Sequence, residues 1–139
     1  SFYPPDAQQN GVDLASLVVV CVPDNGFSVP ADSLLRSGAF GLVVLDLGKH
    51  ARISLATQGR LIGLAQKHDA ALVCLTDKRP EDDSLGERFS VRVHAKFVVD
   101  TDDASRPDGF HCTITALKDK RRGPHWTQTE LVRGPAGLR

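Results

Sequence analysis

Three stretches of this chain are apolar from end to end: SLVVVCVP (residues 16–23), FGLVVLDL (40–47) and AALVCLT (70–76). A strand with one wet face alternates polar and apolar residues. A run without alternation implies burial on both faces, the habit of strands in parallel sheets. Two helical patterns separate the runs. In the first, Ser28 and Asp32 favour the opening turn, Pro30 is tolerated there, and Gly38 ends the helix. The second spans about Arg52 to His68. Ile53, Ala56, Leu61, Leu64 and Ala65 form most of its apolar stripe, with Arg60, Gln66 and Lys67 on the wetter side. Strand, helix, strand, helix, strand is the order of right-handed βαβ units.

After Thr76 the pattern changes. In FSVRVHAKFVV (89–99), Val91, Val93, Ala95 and Phe97 alternate with Arg92, His94 and Lys96, which predicts a half-exposed antiparallel strand. DTDDASRPDG (100–109) reads as an acidic turn, FHCTITALK (110–118) as the returning strand, and WTQTELV (126–132) as a last strand. The expected fold class is therefore α/β: parallel strands with flanking helices, followed by an antiparallel meander.

At 139 residues the chain is one domain, and its 17 basic and 17 acidic residues leave no global field for nucleic acid. No apolar run is long enough to cross a membrane and no signal peptide opens the chain, so a cytoplasmic protein with no membrane partner is expected. Cys21, Cys74 and Cys112 lie far apart within apolar stretches and form no metal-ligand spacing with the histidines. They read as buried thiols in a reducing compartment. The chain has no methionine and opens on the loop-like SFYPPDAQQ, which reads as a piece of a longer protein.

The phosphate-cradling motif GxxxxGK[ST] is absent from these residues, so the chain alone is expected to carry no nucleotide and to be no enzyme. Asp46 ends the second apolar run. A magnesium-ordering aspartate occupies such a position in nucleotide-binding sheets, and an ordinary solvated strand end gives the same pattern. Lys49, His50 and Arg52 form a small cationic patch after it. Lys78 and Arg79 follow the third run, but Glu81, Asp82 and Asp83 make that loop net acidic, a poor grip on phosphate. The densest cationic run is LKDKRRGPHW, with Lys118, Lys120, Arg121 and Arg122 ahead of Trp126. Basic residues beside an aromatic suit a nucleic-acid or partner contact, and a solvated turn has the same composition. No catalytic relay or carboxylate pair is apparent.

In order, these segments resemble the second half of the RecA-type recombinase core. SFYPPDAQQNGVDLASLVVV resembles that family's helix and Gly-Val-Asp strand entry, and FGLVVLDL its Walker B strand. TQGRL (57–61) is similar to its Gln-Ala-Arg-Leu segment, SLGERFSVRVHAKF to its entry into antiparallel strands, and LKDKRRGP to its Lys-x-Lys-x-x-x-Pro segment. The resemblance implies one partial RecA-like domain over residues 1–139. It places Asp46 as the magnesium-associated aspartate, and Lys118 and Lys120 as the lysines that reach a neighbouring subunit's nucleotide. ATP and magnesium enter only with an upstream phosphate-binding half.

The departures carry meaning too. Only GKHARIS (48–54) and an acidic KRPEDDS (78–84) stand where the family has its two DNA-binding loops, and Asp77 stands where it has a phosphate-sensing glutamine. Shortened proteins of this kind resemble ImuA, the accessory factor of the bacterial damage-inducible mutasome. That implies binding to RecA, to an ImuB-type relative of the Y-family polymerases, or to an error-prone replicative polymerase, with weak or absent single-stranded DNA binding. The alternative is a DNA-dependent ATPase or recombinase whose ATP-binding half is missing here, and a third is an unrelated α/β domain.

Overall fold

The computed structural model describes residues 4–23, 26–48, 51–99 and 109–133. Helix α1 (Pro4–Gln9) and a 3-10 turn at Leu14–Ser16 precede α2 (Ser28–Ser37), β1 (Leu42–Asp46), α3 (Leu55–Lys67) and β2 (Ala71–Leu75). Strands β3 (Val91–Val99), β4 (Gly109–Asp119) and β5 (Thr127–Arg133) complete the chain. The strands form two separate sheets, a parallel β1–β2 pair and an antiparallel β3–β4–β5 meander. The fold is mixed α/β. The acidic turn expected at 100–109 lies outside the described residues except for Gly109.

Both long helices stop and start for local reasons. Gly38 ends α2 in the left-handed conformation (φ 67°), and a Cβ there would come within 2.9 Å of His68 Nδ1. Ser54 caps α3, its Oγ accepting from the Thr57 N–H at 3.1 Å, so this helix begins at Leu55 rather than near Arg52. Asp32 caps nothing. It accepts from Arg36 on its own helix and from Arg60 on α3, tying the two helices together. These two arginines hold its carboxyl down at about 2, Arg60 contributing most.

The core lies on one face of the parallel pair. Ala31 and Leu35 of α2, Leu61 and Ala65 of α3, and Val43 and Leu45 of β1 are buried together, with Leu72 and Cys74 of β2 packed against them. Burying a leucine as fully as Leu35 or Leu61 contributes about 1.5–3 kcal/mol. Ile53 is buried ahead of α3, whereas Ala56, expected on the apolar stripe, is exposed.

The sequence pattern fails at three places. Residues 16–23 form no strand. Val18, Val19 and Val20 are about half exposed (55, 57 and 47 %), and among the described residues no backbone bond joins residues 18–22 to a neighbouring strand. Second, among the described residues β1 and β2 are covered on one face only, because α2 and α3 pack on the same side. Leu42, Val44, Ala71, Val73 and Leu75 face outward. Third, exposure alternates along β3 only from Val91 to Ala95, Lys96 being exposed as well, and its apolar side is the exposed one. Val91, Val93, Ala95 and Phe97 are exposed, while Arg92 and His94 are partly buried.

Candidate interaction site

Strands β2 and β3 each end a sheet, and both run along one open cleft of about 770 Å³. One wall is residues 72–80, the other residues 89–95, and Ser84–Gly86 with Leu117 and Lys118 close the end. The backbone phase of β2 follows from two bonds to β1 and its flanks: the Ala71 N–H donates to the Gly41 carbonyl at 2.8 Å, and the Leu47 N–H to the Leu75 carbonyl at 3.0 Å. Residues 71, 73 and 75 therefore serve β1, and the period of two turns the backbone groups of Leu72 and Cys74 toward the opposite edge. That edge carries no partner strand among the described residues.

Charge gathers along the walls. Lys78, Arg79, Arg92 and Lys118 line the cleft against one carboxylate, Asp77. Lys78 Nζ donates to the Asp83 carbonyl at 3.1 Å, Arg92 to the Arg79 carbonyl at 2.9 Å, and Lys118 Nζ to the Glu87 carbonyl at 3.0 Å. Among the described residues none of these three forms an ion pair, and Arg79 meets Glu81 only at 3.9 Å. The cations thus organise the 79–87 loop through neutral carbonyl acceptors.

The base of that loop is pinned by Gln58, which is buried in the first turn of α3. Its Nε2 donates to the Ile53 carbonyl at 2.7 Å and to the Leu85 carbonyl at 2.9 Å, while its Oε1 is buried without a partner among the described residues. Gly86 passes directly over the amide at φ 153°, where a Cβ would lie 2.2 Å from its terminal atoms. Only glycine fits this crossing. Sequence reading assigned Gln58 no role. The available signal was its place on the stripe, three residues before Leu61 and seven before Ala65, where an apolar residue belongs.

The cationic hairpin between β4 and β5 is built around Asp119. Its Oδ1 accepts from the Arg121 and Arg122 N–H groups at 2.8 and 3.0 Å, and its Oδ2 from Trp126 Nε1 at 3.0 Å. These bonds, the one from the Arg122 N–H first, lower the Asp119 carboxyl below its ordinary range. Arg122 stacks over the Trp126 ring at 5.2 Å. The basic-aromatic pattern is thus a self-satisfied turn, with the Lys120 and Arg121 side chains at its exposed surface.

The remaining expected residues scatter. Asp46 is exposed at the carboxyl end of β1, on the outward face opposite Leu75, and does not line the cleft. Arg52 is exposed between buried Ala51 and Ile53, and Lys49 and His50 lie outside the described residues. Lys78, Arg79 and Lys118 are brought together; Lys120, Arg121, Arg122 and Asp46 are not among them. Among the described residues no three metal-ligating side chains converge. The thiols divide: Cys74 is partly buried, which pushes it up to about 11, Cys112 is partly buried, and Cys21 is exposed because its run forms no strand. Among the described residues no helix is long and apolar enough to cross a membrane. Neither protein-family models nor curated protein sequences match this chain.

Proposed function

We propose that this chain is a RecA-like accessory module of the ImuA type, acting in DNA-damage tolerance by binding other proteins rather than by pairing DNA strands. The observation that carries it is the unbroken order of resembling segments from residue 1 to Pro124. The element order is compatible with it: a parallel β1–α3–β2 unit followed by an antiparallel meander. The eight-residue connection at 47–54 leaves little backbone for an extended DNA-binding loop. The bare apolar face of β1 and β2 supports a protein-binding role, since large exposed apolar surfaces mark interaction sites.

Binding to RecA is tested by co-sedimentation with preassembled RecA filaments, using the chain itself and Lys118→Ala/Lys120→Ala. Pelleting that weakens in the double variant is the expected outcome, and equal pelleting removes the two lysines from the contact. Failure to pellet at all removes RecA as the partner and leaves the polymerase subunits. The alternative, a DNA-dependent ATPase whose phosphate-binding half belongs to a longer protein, is favoured by the exposed Asp46 carboxylate at the carboxyl end of β1. DNA-stimulated ATP turnover by such a protein, lost on Asp46→Asn, would establish it.

A further inference from the structure

We infer that the cleft between β2 and β3 is a strand-accepting groove, which takes an extended apolar peptide with acidic residues at one end from a partner protein. This goes beyond the mutasome reading and does not depend on it. Three independent features of the cleft point to that occupant.

The first is backbone chemistry. Leu72 and Cys74 turn their N–H and C=O groups to an edge with no partner strand among the described residues, and β3 is likewise the last strand of its sheet. On β3 the Lys120 N–H bond to the Ser90 carbonyl sets the phase, so Val91 turns its backbone groups away from β4. Unpaired edges that run along one cleft are a template for an added strand, whose main-chain bonds supply affinity without a defined side-chain sequence. The second is apolar lining. Val73 and Leu75 on one wall and Val91 and Val93 on the other are all exposed at 40 % or more, so a polar or charged strand would leave them in contact with unsatisfied groups. The third is charge. Lys78, Arg92 and Lys118 have no ion-pair partner among the described residues, and Asp77 is the one carboxylate on the lining. That imbalance favours an acidic terminus on the occupant and disfavours a basic one.

The probe is a fluorescein-labelled peptide, Val-Val-Thr-Val-Val-Asp-Glu, titrated with the chain and read by fluorescence anisotropy. Saturable binding is expected. Methylating alternate backbone nitrogens of the peptide removes strand hydrogen bonds without removing its side chains, and should abolish binding. Arg92→Gln/Lys118→Gln keeps a donor for each loop carbonyl while removing the charges, and should weaken binding several-fold. Circular dichroism of that variant establishes that it folds. A peptide ending in Lys-Lys should bind more weakly than the acidic one. Equal binding of the methylated peptide would reduce the cleft to a site of apolar adsorption and overturn the proposal, as would the absence of saturable binding. Light scattering at twice the chain mass, with peptide binding seen only on dilution to the monomer, would assign the groove to a second copy instead.

Discussion

The two faces of the parallel pair are made of the same residue types and live in opposite surroundings. Val43 and Leu45 are buried under α2 and α3, while Leu42 and Val44, their immediate neighbours in sequence, are about half exposed on the other side. A strand without alternation is suited to cover on both faces, and here one face is covered by the chain itself. One face therefore holds the fold and the other is available for contact.

Stability measurements should separate the faces most sharply. Leu61→Ala, beneath the covered face, should cost about 2–5 kcal/mol in urea unfolding, whereas Val44→Thr on the bare face should change stability by about 0.5 kcal/mol or less. Similar losses from both would mean that the outer face is also packed in solution. Next in size is the crossing at Gly86. Gly86→Ala forces a methyl group into the Gln58 amide and should cost about 1–3 kcal/mol. In a Gln58→Ala background the same change should cost less, because the obstruction has gone and only the strain of the positive φ remains. Additive losses in the double-mutant cycle would break the link between α3 and the cleft loop.

A smaller effect belongs to Asp32, which joins the two helices on the covered side. Its folded carboxyl, at about 2, lies below its ordinary value of 3.8, so the unfolded chain takes up the proton more readily. The stabilisation is fully present above about pH 4 and is lost as the pH falls toward 2. Asp32→Asn should flatten the stability profile in that window, and an unchanged slope would show that the Arg60 bond is not held in solution. The smallest effect is chemical. Cys74 should alkylate more slowly than Cys21 at neutral pH, because partial burial raises the one thiol while the other is exposed. Equal rates would indicate that the covered face opens easily.

Sequence periodicity revealed β1, β2, α3 and the meander because these elements carry their own signal: unbroken valine and leucine runs, a helical stripe, and period-two alternation. Gly38 was legible as a helix end for the same local reason. Residues 16–23 were not, because a valine run specifies a strand only where an edge receives it. The bare faces were equally invisible, since an apolar run reads the same whether its cover belongs to this chain or to another. Lys78, Arg92 and Lys118 meet in one cleft only through tertiary structure, so neither of their charge runs indicated the other. Gln58 illustrates the opposite case, a polar residue interrupting an apolar stripe, whose meaning lay in Gly86 far along the chain.

The most direct test of the open β2 edge as part of the contact surface is amide hydrogen exchange at Leu72 and Cys74, in the chain alone and on preassembled RecA filaments. Fast exchange alone and marked protection on the filament is the expected result. Binding that leaves both amides as fast as before would contradict it.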